Sequence, residues 1–294
     1  MASVAESPVR RLWGEFAESR LALFGLALLI TVVLIAIFAP VISPQNPYDL
    51  AQIDVMDSKL APGEQSTSGK SHLLGTDDQG RVMLSGIFYG LRISLGVGVI
   101  STVFAVVIGL FFGLVAAYFG GWVDTLIMRI VDIQLSFPAI LIALILLAVL
   151  GQGADKIIVA LITVQWAYYA RTVRASALVE KQKEYIEAAQ VLALGKMRIL
   201  FRHMLPNCLP PLIVVATVQV AHAISLEATL SFLGLGLPIT EPSLGLLISN
   251  GFTYLMSGKY WISFYPGLAL LITIVAINLV ADQLRDVLNP RLKK

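Results

Sequence analysis

Long stretches without a single charged residue recur along this chain, and they decide what it can fold into. Leu21 to Ala39, Ile93 to Gly121 and Ile157 to Ala170 contain no Asp, Glu, Lys or Arg, and neither do Cys208 to Leu226 or Trp261 to Ala281. A helix needs about 20 predominantly apolar residues to cross the hydrocarbon core of a bilayer. Of 294 residues, 57% are hydrophobic and 14% are charged, against roughly a quarter charged in soluble domains. Most of the chain lies in such runs, which leaves no room for a large soluble domain. The expected fold class is all-α, a polytopic membrane protein with about six transmembrane helices.

Residues 1–20 are polar and carry Arg10, Arg11 and Arg20, so they read as a cytoplasmic N-terminal segment. Residues 21–39 form the expected first span. The run is long for the core of a secretory signal, and Pro40 stands where a cleaved product would begin. Residues 40–91 read as a polar extracytoplasmic loop with four prolines, Pro40, Pro44, Pro47 and Pro62. Within it, Gly63 to Ser71 approaches the phosphate-binding pattern, but five residues separate its glycines where the motif needs four. No hydrophobic strand precedes it, so a flexible solvated loop is expected. Leu84, Ile87, Phe88 and Leu91 recur at helical spacing, which suggests an amphipathic helix at the outer surface leading into the next span.

Residues 92–281 make the expected five-helix core. Gly109 and Gly113 allow close helix packing, and Phe119-Gly120-Gly121 reads as a tight turn. Arg129 and Asp132, one turn apart, form an expected neutralised pair, because unpaired charge in lipid is costly. Pro138 is expected to kink its helix. Phe232, Tyr254, Tyr260 and Trp261 suit an interfacial belt. Residues 282–294, with Arg285, Pro290, Arg291, Lys293 and Lys294, read as a cytoplasmic tail.

One polar island interrupts the core. Between Arg171 and Pro206 stand seven Lys/Arg and three Glu. Such a segment, pinned at both ends by apolar runs, sits at the membrane surface, where it can dock onto something soluble. Tyr185, Ile186, Ala189, Leu192 and Met197 fall near a helical stripe, as in helix-in-groove recognition. Ala188 and Ala189 allow close approach of a partner backbone, and Pro206 is expected to end the segment. An amphipathic helix lying on anionic lipid without a partner fits the same pattern.

Charge sets the orientation. If both termini, residues 119–131 and residues 171–206 share one side, that side holds 15 of the 21 Lys and Arg residues. The positive-inside rule makes it the cytoplasmic side. A net charge of +2 gives no electrostatic support for binding nucleic acid. A single cysteine, Cys208, excludes an internal disulfide framework and any cysteine-based metal cluster. His203 and His222 lie about 28 Å apart if helical throughout, so they share no metal and build no triad. No GxSxG or HExxH occurs; catalytic residues are none, and metal ligands none. Gln165, Gln219, His222, Glu227 and Asn278 fall inside spans and read as groups that hold helices together. Of these, Glu227, His222 and Gln219 are the candidate pathway-lining residues, with Glu227 first.

Four blocks of sequence resemble one family. Glu187-Ala188-Ala189, followed by Leu205-Pro206, resembles the EAA loop of ATP-binding-cassette (ABC) importer permeases. His72 to Leu95 is similar to the pattern HxLGTDxxGRDxxSxxxYGxRxSL of the peptide and nickel permeases, with Val82 in place of the usual acidic residue. The turn and following helix over residues 119–138, and the block from EATLSFLGLG at Glu227 to LRDVLNPR near the end, resemble the same subunits. The resemblance implies a type I ABC importer permease fold and the second, C-type permease subunit of a peptide or nickel system in a bacterial inner membrane.

It also implies a cytoplasmic coupling loop over 176–206, in which Glu187, Ala188, Ala189, Ala193, Gly195, Leu205 and Pro206 would contact the ATPase. The family's usual Gly stands as Ala193 here, with Gly195 two positions on, which shifts the expected turn. Implied partners are a homologous second permease, two ATPase subunits, an extracytoplasmic solute-binding protein and the bilayer. No cofactor is expected on this chain; ATP and Mg would be bound by the ATPase subunits. Dipeptides, oligopeptides, glutathione and nickel chelates all remain open as cargo. A secondary transporter driven by an ion gradient is the alternative; it would show inverted repeats and broken spans with acidic residues at mid-membrane, for which Glu227 alone speaks.

Overall fold

The computed structural model describes residues 8–288, so Pro290, Arg291, Lys293 and Lys294 of the expected tail lie outside the described residues. A short amphipathic helix, α1 (Pro8–Ala17), precedes α2 (Arg20–Ile42), whose first turn is capped by Ser19 Oγ accepting from the Ala22 amide. Phe16 packs against Ala22 and Val287, and Gln283 Nε2 donates to the Glu15 carbonyl at 3.2 Å, tying the start of the chain to its last helix. After the 43–82 loop come α3 (Met83–Phe119), α4 (Gly121–Ser136), α5 (Ala139–Leu150) and α6 (Ala154–Lys181). α7 (Glu184–Val191) leads through α8 (Lys196–Arg198) and a π-helical stretch, Ile199–Met204, into α9 (Leu205–Phe232). α10 (Leu244–Phe252) and α11 (Trp261–Leu288) complete the chain.

Among the described residues there is no strand, only the isolated bridges Gln65–Ser71 and Thr76–Val82. Four helices are long and apolar enough to cross a membrane: α2, α3, the continuous run Lys196–Phe232, and α11. α4 and α5 together make a fifth. α6 is too polar for that measure, but its 28 residues span about 42 Å. With it the arrangement matches the expected six.

α3 and α6 form the centre of the bundle, and two glycines let them touch. A Cβ on Gly109 would stand 2.4 Å from Tyr169 Cβ and 2.6 Å from the Trp166 carbonyl. One on Gly113 would stand 2.6 Å from the Ala170 carbonyl. With no hydrophobic drive between helices in lipid, such backbone proximity and its dispersion contacts are what hold them together.

Several expectations fail on local physics. Pro40 does not open the loop: it sits in the last turn of α2, which runs on to Ile42. Leu84 to Leu91 is no surface helix; Ile87 and Leu91 are buried, and these residues are the first turns of α3. The outer loop therefore spans 43–82 rather than 40–91. Pro138 does more than kink a helix. Phe137 is extended, Pro138 opens α5, and the two helices meet at 91°.

Asp132 does not pair with Arg129. It accepts from Arg171 on α6, while Asp124 takes both Nε and Nη2 of Arg174, so α4 is laced to α6 by charge. Trp261 is buried rather than in a lipid-facing belt, and its Nε1 donates to the Thr76 carbonyl at 3.2 Å.

The 43–82 loop is held together by internal hydrogen bonds and one buried ion pair. Arg81 and Asp77 are both 1% exposed and joined Nε to Oδ2 at 2.6 Å. Asp77 Oδ1 also accepts the Gln79 and Arg81 amides. The phosphate-loop look-alike is a turn whose amides are already occupied: Gly63 donates to the His72 carbonyl and Ser66 to that of Lys70, both at 2.8 Å.

Candidate functional site

The polar segment after α6 is seated on the bundle before it reaches solvent. Lys181 Nζ donates to the Ala117 and Tyr118 carbonyls at 3.0 and 2.8 Å, groups that the end of α3 leaves without intrahelical partners. α7 then starts with Glu184 and Glu187 in its first turn, where the helix dipole favours negative charge. Its apolar residues divide. Ile186 and Ala189 are 0% and 4% exposed and pack with Tyr169, Val173, Ile199 and Met204. Glu187 and Ala188 are exposed, and Val191, Leu192 and Met197 are 87%, 73% and 67% exposed. The stripe expected to meet a partner is thus partly the anchor of α7. Ala189 faces the protein's own core, and Ala188 with Val191 and Leu192 faces outward.

Backbone hydrogen bonds close the turn after α7. Leu194 N–H donates to the Ala189 carbonyl at 3.1 Å and Ala193 N–H to that of Gln190 at 2.9 Å, the paired bonds of a Schellman cap. The residue between cap and exit must be left-handed, and Ala193 takes φ +53° there. Gly195 has φ −58° and ψ 139°, ordinary for any residue. Ala193 therefore holds this left-handed conformation at a cost of about 1 kcal/mol for its Cβ. Ala193→Gly is expected to slow hydrogen exchange at the Leu194 amide by about fivefold, and Gly195→Ala to leave it unchanged. Faster exchange in Ala193→Gly would contradict this account of the turn.

Leu205 is half-buried and Pro206 exposed. Pro206 does not end the segment: it lies in α9 directly after the π turn, inside the continuous helical run Lys196–Phe232. The helix runs on through Pro210 and Pro211 to Phe232.

α5, α6 and α9 line an open cleft of about 460 Å³ with Gln165, Tyr168, Gln219, His222, Ser225 and Thr229 among its walls. Gln219 and His222 line this cleft. Glu227 does not. It is fully buried, accepting from Ser94 Oγ at 2.7 Å and Ser231 Oγ at 2.8 Å, and it ties α3 to α9. Helical geometry gives the reason. Gln219, His222, Leu226 and Thr229 follow one stripe, whereas five residues beyond His222 is about 140° around the helix. That spacing was available in the sequence, and it also finds Ser225 and Thr229, which composition alone passes over. The polar stripe of α6, Gln165 and Tyr168, is readable in the same way.

Known proteins share this chain's sequence and architecture. Residues 106–294 match a family described as binding-protein-dependent transport system inner membrane component, and residues 7–62 match the N-terminal TM domain of oligopeptide transport permease C. The dipeptide transport system permease protein DppC of Escherichia coli (strain K12) is 42% identical over 294 residues, covering 100% of this chain and 96% of that protein. The di/tripeptide transport system permease protein DppC of Pseudomonas aeruginosa (strain UCBPP-PA14) is 36% identical over 291 residues, with 99% and 94% covered. Among solved structures, an inward-facing form of the MetNI methionine ABC transporter aligns with TM-score 0.57 at 24% identity, covering 70% of this chain and 98% of that one. An amino acid ABC transporter aligns with TM-score 0.51 at 14% identity, with 68% and 92% covered.

Proposed function

Because this chain belongs to the family of binding-protein-dependent transport system inner membrane components, we propose that it forms half of the path of a peptide importer and is driven by ATPase subunits gripping the 182–206 segment. It is a membrane-spanning permease subunit of an ABC importer. Dipeptides and short peptides are the cargo class, by the names of the relatives. ATP and Mg are bound by the ATPase subunits, and this chain carries no catalytic residue. A homologous second permease completes the pathway beside the cleft of α6 and α9. A solute-binding protein delivers cargo at the end capped by the 43–82 loop.

The observation that carries the reading is the two-sided α7. Its inward side is fixed to the bundle by Ile186 and Ala189, and its outward side offers Ala188, Val191 and Leu192 to solvent. That is the form of a helix presented to a groove. The same end of the bundle collects the start of α2 and the ends of α3, α6 and α11, where the basic residues gather. The positive-inside rule makes this end cytoplasmic, the side on which ATP is available. Glu187, Ala188, Ala193, Gly195, Leu205 and Pro206 then belong to the docking segment, and Ala189 seats it.

Reconstitution tests the reading. Liposomes holding this chain, its partner permease and the ATPase subunits, supplied with binding protein, should accumulate labelled dipeptide only with ATP inside the vesicle-equivalent of the cytoplasm. The chain alone should accumulate none. ATP-independent uptake by the chain alone along an ion gradient would replace this reading with the secondary-transporter one.

A further inference from the structure

At the start of α7, one hydroxyl, on the half-exposed Tyr185, joins three helices. Tyr185 Oη donates to Glu180 Oε2, near the end of α6, at 2.5 Å. It accepts from Asn207 Nδ2, in the first turn of α9, at 3.0 Å. Glu180 is 8% exposed, and its other oxygen accepts from Lys183 Nζ. Asn207 Nδ2 also donates to the His203 carbonyl within the π turn at 2.9 Å. Burial, and the Glu180 carboxylate beside it, push the Tyr185 phenol up to about 12, so it keeps its proton and its donor role across the physiological range.

We propose that Glu180, Tyr185 and Asn207 are positioning residues that lock α7 to α6 and α9, so that a push on α7 moves both helices instead of dissipating in the loop. The proposal rests on the ATPase-docking reading. Eight residues of helix are not stable alone, and Ile186 and Ala189 are the two side chains α7 buries. Without a tie, force on Ala188 would tip α7 about these two side chains. The Tyr185–Glu180 bond is charge-assisted and short, among the stronger kinds. Asn207 reaches from α9 back to the His203 carbonyl of the π turn, an irregularity frequent at functional sites. The two helices so joined are the ones whose Gln165, Tyr168, Gln219 and His222 wall the cleft. The lock therefore connects the driven surface to the cleft through two rigid elements.

The test uses the full complex in liposomes and reads peptide transported per ATP hydrolysed, per assembled complex. Tyr185→Phe removes one oxygen and Asn207→Ala one amide. Each is expected to lower that ratio about fivefold while the ATPase subunits co-purify in wild-type amounts. Because both variants break the same chain of bonds, the double variant should be no worse than the worse single one. An unchanged ratio in Tyr185→Phe, or losses that multiply in the double variant, would overturn the lock with docking intact. Absence of ATPase subunits from the wild-type complex would overturn the docking reading and the lock together. A merely structural role lowers the amount of complex but leaves the ratio unchanged.

Discussion

Ala188→Glu should abolish ATP-driven uptake while the chain still inserts and folds. Ala188 is exposed on the outward side of α7, so a longer side chain there meets solvent in the free subunit. In the docked state the same carboxylate lies beside Val191 and Leu192, on a face offered to a groove. Burying an unpaired charge costs several kcal/mol, and each 1.4 kcal/mol is tenfold in affinity. Association with the ATPase should weaken at least about a hundredfold, read as loss of co-purification and of uptake with monodispersity unchanged. Full uptake with stoichiometric ATPase in Ala188→Glu would remove α7 from the interface. Ala189→Glu is not an equivalent experiment. Ala189 is 4% exposed in the protein's own core, so that change unseats α7 whether or not anything docks on it.

The contrast between these neighbours shows what the sequence could and could not say. The bilayer fixes the length and polarity of anything that crosses it, so most of the spans are legible from charge-free runs. Periodicity is weaker evidence. It found the apolar stripe of α7 but not which side of it would be taken by the bundle, because Ile186 and Leu192 are equally apolar and differ in what stands opposite. The same blindness paired Asp132 with Arg129. Spacing along one helix sees only same-helix partners, and the partner that won, Arg171, is on α6. Proline was over-read twice and under-read once, because its effect depends on where it falls. The helix runs on past Pro40 in its last turn and past Pro206 beside the π turn, whereas at Pro138 the chain turns through 91°. Glu227 was chosen for its charge, and its position on the helix would have excluded it from the cleft. The left-handed residue of the turn after α7 is Ala193, although Gly195 two positions on would take that conformation at less cost.

Gly109→Leu should have the largest effect on folding of any single change in the core. A Cβ alone at this position meets Tyr169 Cβ at 2.4 Å, the Trp166 carbonyl at 2.6 Å and the Ala170 amide nitrogen at 2.8 Å. Two of these are backbone atoms, so no rotamer change on α6 makes room. The helices must separate, and the loss spreads along their contact to Gly113, where the Ala170 carbonyl is as close. Overpacking of this kind costs about 1–3 kcal/mol where neighbours adjust, and more where they do not. In lipid the separated surfaces gain nothing from hydrophobic burial to offset it. A loss of about 3 kcal/mol or more is expected, seen as failure to recover a monodisperse subunit. Gly96→Leu is the control: it lies on the same helix, with nothing within 4 Å of its Cβ position, and should behave as wild type. If Gly109→Leu purified and melted like Gly96→Leu, α3 and α6 could not be in backbone contact. Lys181 would then have no fixed α3 terminus to grip, and the seat of α7 would need another explanation.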